Sequence, residues 1–110
     1  MIEVSDKDEF NLELKKNNSL LVLFYASWCP YCRKIVPFFD QKVVCFNGGK
    51  AMHVVLDDYD NPLWDDFDVG AVPTVILFEN GKVRTRLDGQ FGRGLSETQL
   101  ETWLSNLRVY

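Results

Sequence analysis

The chain has 110 residues, which suits one domain with its own core and leaves no room for two. Hydrophobic residues make up 46% and charged residues 25%, the balance of a globular protein rather than of a disordered tail, and no run reaches the roughly 18 consecutive apolar residues of a membrane span. With 12 Lys and Arg against 16 Asp and Glu, the net charge of −4 argues against nucleic acid as a partner, because phosphate-tracking surfaces need clustered basic residues.

In chain order, Met1 to Asp8 has neither the basic region nor the apolar core of a secretory signal, so a cytoplasmic protein is expected. Ser5-Asp6-Lys7-Asp8 reads as an N-cap with an acid three positions on, and Phe10 and Leu14 share one helical face. These predict a helix from about Asp6 to Lys16, ended by Asn17-Asn18-Ser19. Leu20 to Tyr25 is an unbroken apolar run, the pattern of a central strand covered on both faces, and it delivers the chain to Trp28-Cys29. Arg33 to Asp40 carries apolar residues at helical spacing, with Pro37 where a helix would kink. Asn47-Gly48-Gly49 reads as a loop, His53 to Leu56 as a second buried strand, and a short helix is expected near Pro62. Val72 to Phe78 is an apolar strand with Pro73 at its entrance, and Asn80-Gly81 signals a hairpin into an antiparallel strand over Lys82 to Leu87. Ser96 to Gln99 resembles a capping box, followed by Leu100, Trp103, Leu104 and Leu107 on one helical face. The alternation predicts an α/β sandwich around a mixed sheet, one domain over residues 1 to 110, expected as a monomer.

Residues 28 to 32 read Trp-Cys-Pro-Tyr-Cys and sit at the strand-to-helix junction. Three cysteines cannot all pair within one chain, and a reducing cytosol disfavours structural disulfides, so Cys29 and Cys32 call for a catalytic or a metal explanation. Cys29, Cys32, Cys45 and His53 form Cys-x2-Cys-x12-Cys-x7-His, a zinc-like set. Against it, the predicted helix separates the first pair from the second by about 20 Å. Cys45 reads instead as a small buried hydrophobe, His53 as a core or edge residue, and Trp64 and Trp103 as packing. Trp28 and Tyr31, adjacent to the thiols, read as substrate surface.

The run from Leu20 through Trp28-Cys29-Pro30-Tyr31-Cys32-Arg33 to Pro37, then Val72-Pro73-Thr74, Asn80-Gly81-Lys82 and Gly89, resembles the thioredoxin family over most of the chain. The resemblance implies the thioredoxin fold, a mixed central β-sheet flanked by helices on both faces. It also implies a cis peptide before Pro73, with the backbone of Val72 pairing with an extended substrate and Gly89 nearby. A cysteine at a helix N-terminus gains thiolate character from unpaired N–H groups and the helix dipole. Cys29 is therefore expected as nucleophile, Pro30 as first helical residue and Cys32, one turn inward, as resolving thiol, the two forming a redox-active disulfide. No cofactor is implied, since the sulfurs carry the electrons; the expected partners are disulfide-containing proteins and a reductase or small-thiol electron donor.

Three departures from the family pattern stand out. Pro-Tyr between the cysteines is similar to a glutaredoxin, where thioredoxins usually have Gly-Pro. The family's buried Asp falls on Leu23, and its buried Lys near Val55 or Leu56, so both charges are expected to be missing. The Gly-Gly pattern by which glutaredoxins hold glutathione is not found after the hairpin. A thiolate spared an opposing buried charge favours the reduced form, which places the expected reduction potential nearer the glutaredoxins, at about −200 to −230 mV, than thioredoxin, at about −270 mV. A glutaredoxin-like or more oxidising exchanger, and a non-catalytic peptide-binding module, remain as alternatives. Asp57, Asp58, Asp60, Asp65, Asp66 and Asp68 crowd one stretch that lacks the Gly and Glu of a calcium loop; the reading is a solvated face that favours basic partners. Gly89-Gln90-Phe91-Gly92-Arg93-Gly94 reads as either a docking rim or a flexible loop.

Overall fold

In a computed structural model, described here for residues 1–43 and 49–107, the chain alternates strand and helix. Its elements are β1 (Ile2–Val4), α1 (Lys7–Lys16), β2 (Ser19–Tyr25), α2 (Pro30–Val43), β3 (Lys50–Val55), α3 (Leu63–Asp66), β4 (Thr74–Glu79), β5 (Lys82–Leu87) and α4 (Glu97–Asn106). The strands form one sheet in the order β1-β3-β2-β4-β5. β1 and β2 each run parallel to β3, whereas β4 is antiparallel to both β2 and β5. This is the thioredoxin fold that the sequence led us to expect, with a mixed sheet flanked by helices.

The apolar run of β2 splits by the two-residue period of a strand. Leu20, Val22 and Phe24 face one layer, where they meet Phe10 of α1, Leu63 of α3, and Ile76 and Phe78 of β4. Leu21 and Leu23 face the other, against Ile35 and Phe39 of α2 and Leu100 and Leu104 of α4. Both faces are covered, which is why the run never alternates with polar residues. In the first layer Phe10 meets Phe67 and Phe78 edge to face, with ring centroids 5.2 and 5.6 Å apart, contacts worth about 0.5–1.5 kcal/mol each beyond burial.

Local signals explain the boundaries. The N-cap of α1 is Asp6, one residue beyond Ser5, and its carboxylate accepts from Glu9 N at 3.2 Å. α4 has a reciprocal capping box: Ser96 Oγ accepts from Gln99 N at 3.0 Å, and Gln99 Oε1 accepts from Ser96 N at 2.9 Å. Asn80 and Gly81 both take positive φ, 53° and 80°, the geometry of a type I′ hairpin turn. α2 continues through Pro37, which can donate no bond to the carbonyl of Arg33.

Two elements differ from the sequence reading. β1 was not anticipated, and β3 starts at Lys50, three residues before His53, because Lys50, Ala51 and Met52 pair with Leu20, Leu21 and Val22. At the other edge, β5 exposes Lys82, Val83 and Arg84, and its pairing with β4 is interrupted by a bulge between Leu77 and Phe78. Cys45 and most of the predicted Asn47-Gly48-Gly49 loop lie outside the described residues.

Candidate active site

β2 ends at Tyr25, and the next four residues turn the chain into α2. Cys29 N donates to Ala26 O at 3.1 Å to close that turn, and Cys32 N donates to Cys29 O at 3.2 Å as the helix begins. Cys29 therefore precedes the first residue of α2, Pro30, whose missing N–H removes no helical bond at that position. Asp57 braces the turn from the end of β3: its carboxylate accepts from Ser27 N and Ser27 Oγ, both at 2.6 Å, while its carbonyl accepts from Trp28 Nε1 at 3.1 Å.

Both cysteines are free thiols, Cys29 4% exposed and Cys32 2%. Cys29 Sγ donates to Val72 O at 3.6 Å, so the segment before β4 touches the thiol directly. The Val72–Pro73 peptide is cis. Burial pushes the Cys32 thiol up to about 12; a backbone contact from Ala26 opposes the rise, and the neighbouring Cys29 and Asp57 add to it. Cys32 thus keeps its proton at neutral pH. Gly89 approaches Pro73 so closely that a Cβ there would lie 2.1 Å from Pro73 O, while Gly89 N donates to Thr74 Oγ1 at 3.3 Å. Thr74 Oγ1 in turn donates to Ala71 O at 2.7 Å, tying both strands to the loop that carries Val72.

Of the expected site residues, Trp28, Cys29, Pro30, Tyr31 and Val72 line one open groove of about 210 Å³. Gly89 lines the adjoining hollow, and Cys32 lies buried one turn into α2. The groove includes two further aromatics: Tyr59, to which the sequence reading gave no role, and Phe91, within the Gly89–Gly94 run read as either a docking rim or a flexible loop. Tyr59 is 74% exposed and stacks on Trp64, centroids 5.7 Å apart, and Phe91 is 94% exposed. Trp64, read from sequence as packing, does pack against the core but also lines this groove. Trp103, on α4 itself, packs against the second core layer, as expected.

Leu23 is fully buried, and its register partner on β3 is His53, which the sequence reading placed in the core or at an edge. His53 is buried and ionisable, with Nε2 2.7 Å from Asp40 Oδ1 and Nδ1 3.4 Å from Glu3 Oε1. Tyr25 also donates its hydroxyl proton to Glu3, and burial, aided by that acceptor, raises its pKa. Among the described residues no group of three or more His, Cys, Asp or Glu side chains is placed to hold a metal ion.

Comparisons with known proteins agree with this geometry. The family model for Thioredoxin matches residues 1–106. A thioredoxin of Mycoplasmoides gallisepticum is 30% identical over 89 residues, covering 81% of this chain and 88% of that protein. Protein disulfide-isomerase A5 of Bos taurus is 26% identical over 110 residues, covering 96% of this chain but 20% of the isomerase, so the chain spans about a fifth of that relative. The crystal structure of thioredoxin f2 of Chlamydomonas reinhardtii superposes with a TM-score of 0.79 at 19% identity, covering 100% of this chain and 99% of that one.

Proposed function

The chain belongs to the thioredoxin family, and from that membership we propose that it is a thiol-disulfide oxidoreductase reducing protein disulfides through Cys29 and Cys32. The observation that carries this reading is the seat of Cys29: at the start of α2, on an apolar groove, in contact with Val72 O, with a second thiol one turn away. Cys29 Sγ, as thiolate, attacks one sulfur of a substrate disulfide, forms a mixed disulfide and releases the other sulfur as a thiolate. Cys32 then loses its proton to water or to the departing thiolate and attacks Cys29 Sγ. The Cys29–Cys32 disulfide forms, and the substrate leaves as a dithiol carrying two electrons. Joining Cys29 to substrate removes the neighbouring charge that helps hold the proton on Cys32, so the second step becomes easier once the first is complete.

The test is stoichiometric. Prereduced protein mixed with a disulfide-bonded protein substrate should yield two substrate thiols per Cys29–Cys32 disulfide formed. Cys29→Ser should yield none, and Cys32→Ser should trap the mixed disulfide. Turnover retained in Cys29→Ser would overturn the assignment; binding of peptide without electron transfer in the intact chain would make it a binding module.

A second reading, a glutaredoxin-like or more oxidising exchanger, is favoured by one observation: Leu23 is a fully buried aliphatic where thioredoxins place an acid. A potential near about −200 mV supports it, and one near about −270 mV supports the reductant. Leu23→Asp should move the potential towards the lower value by adding a charge that opposes the thiolate. The electron donor on our reading is a reductase or a small thiol, and the setting is a reducing compartment, the cytoplasm, with the protein acting as a monomer. No helix among the described residues is long and apolar enough to cross a membrane.

A further inference from the structure

The Gly-rich run after β5 is a built turn. Gln90 N donates to Gly94 O at 3.1 Å, and Gly94 N and Arg93 N return to Gln90 O at 2.8 and 2.9 Å. The turn is held against the cysteine dipeptide at two points. Tyr31 donates its hydroxyl proton to Gly92 O at 2.6 Å, and its side chain lies so close to Gly94 that a Cβ there would fall 2.5 Å from Tyr31 Cβ. Gly94 has φ +68°, so a side chain at this position would be strained as well as obstructed. The product of this anchoring is Phe91, held at the tip of the turn in open solvent.

The opposite wall is fixed in the same way. Tyr59 lies 5.3 Å from Trp28 and 5.7 Å from Trp64, ring centre to ring centre, and both indole N–H groups are tied down, to Asp57 O and Asp58 O. Between the walls lie Cys29 and Val72. At about 210 Å³ the groove is smaller than the roughly 300–1,000 Å³ of sites that enclose a small-molecule ligand, and its size points to a single large side chain. Phe91 also borders a second hollow, shared at Gly70 and Ala71, that holds Asp68 and Asp88 with Arg86 already bound to Asp88. The chain from 57 to 68, which supplies Tyr59 and Trp64, has six Asp and no Lys or Arg.

Resting on the oxidoreductase reading, we propose that Phe91 and Tyr59 form an aromatic clamp that selects among disulfide substrates. The occupant is an extended polypeptide segment whose attacked cysteine is flanked by an aromatic or large aliphatic residue, with a basic residue close by. The apolar side chain enters the groove and the basic one meets the acidic surface beside it. Tyr31 is a positioning residue: its hydroxyl fixes the turn that presents Phe91. Electrons move as in the exchange described above, and the clamp sets which disulfide reaches Cys29.

The experiment is a kinetic series with prereduced full-length chain and peptide disulfides in which the residue beside the attacked cysteine is Phe, Leu, Ser or Glu, each made with a nearby Lys or Glu. Phe-flanked peptides should exceed Ser-flanked ones by about tenfold in kcat/KM, with the difference in KM, as expected for one apolar side chain entering a pocket. The Lys series should outrun the Glu series at low salt and converge with it at high salt. Phe91→Ser and Tyr59→Ser should bring the Phe-to-Ser ratio close to unity. Phe91 is exposed, so its replacement leaves the core intact. Tyr31→Phe should lower the ratio partway. Equal rates across the series, or a ratio that survives both serine variants, would overturn the clamp while leaving the oxidoreductase reading standing. Failure to reduce any peptide would remove both. A dimer in sedimentation that dissociates in Phe91→Ser would assign the groove to a second copy of the chain and overturn the proposed occupant.

Discussion

The two ends of the sheet can be compared directly, because β2 and β4 connect them. At the far end the Asn80-Gly81 hairpin meets the loop after α1, with Asn80 N donating to Asn18 O at 2.8 Å. The hollow there, about 470 Å³, is more than twice the volume of the groove beside Cys29 and is bordered by Asn11, Asn17, Asn18 and Asn80. The near end has the smaller groove, but it has aromatic walls and a thiol. Volume therefore does not mark the site. What separates the ends is that one satisfies backbone groups with short polar side chains, as Asn17 does for Glu13 O, whereas the other leaves large rings in water around a thiol. On our reading the far end stabilises the chain and the near end reacts.

Substitutions at each end sharpen that division. Removing the proposed nucleophile should have the largest effect: Cys29→Ala should lower disulfide reduction by at least about a thousandfold, equivalent to about 4 kcal/mol, with little change in the thermal midpoint. Gly89→Ala should breach the division, since its Cβ would press on Pro73 O. We expect a loss of about 1–3 kcal/mol in chemical denaturation together with a raised KM, because strain there displaces the backbone next to Val72. Gly81→Ala at the far end should cost about 1–2 kcal/mol through its positive φ, with kcat/KM unchanged. A change in turnover in that variant would show that the ends communicate.

The smallest effect is a pH slope. The folded chain holds the Cys32 proton more tightly than the unfolded chain, whose thiol has its ordinary value of 9.0, so this contribution is intact below about pH 9. It is lost as pH rises from there towards about 12, by at most about 1.4 kcal/mol per pH unit. Tyr25, also raised, adds loss of the same sign above its ordinary value of 10.0. Denaturation of the reduced protein between pH 8 and 10.5 should therefore be steeper in the wild type than in Cys32→Ala; equal slopes would show that the proton on Cys32 is not held by the fold.

Much of this was legible in the sequence where a local rule settles the outcome. Ser96 with Gln99, Asn80-Gly81, and an apolar run leading to Cys29 each specify geometry within a few residues. The remainder depends on pairing across the chain. Ile2-Glu3-Val4 is too short to show alternation and becomes a strand only because β3 lies beside it. His53 looked like one more strand residue until the register set it next to Leu23 and within reach of Asp40. Tyr59 was hidden in a run of acids, whereas the glycine-rich run around Phe91 suggested either a docking rim or a flexible loop without singling out the ring. Their exposure at the groove is a tertiary fact, and the one sequence cue was an aromatic where composition favours polar or small residues.

The bulged strand β5 has a further consequence. A molecule that keeps Trp28, Tyr31, Tyr59 and Phe91 in water risks self-association, and an open sheet edge would give that association a template. At one margin the sheet offers only the three residues of β1; at the other it offers a strand broken by a bulge and studded with Lys82, Arg84 and Arg86. Both margins are therefore poor templates for strand-on-strand stacking, which lowers the risk that the exposed aromatic surface seeds a fibre.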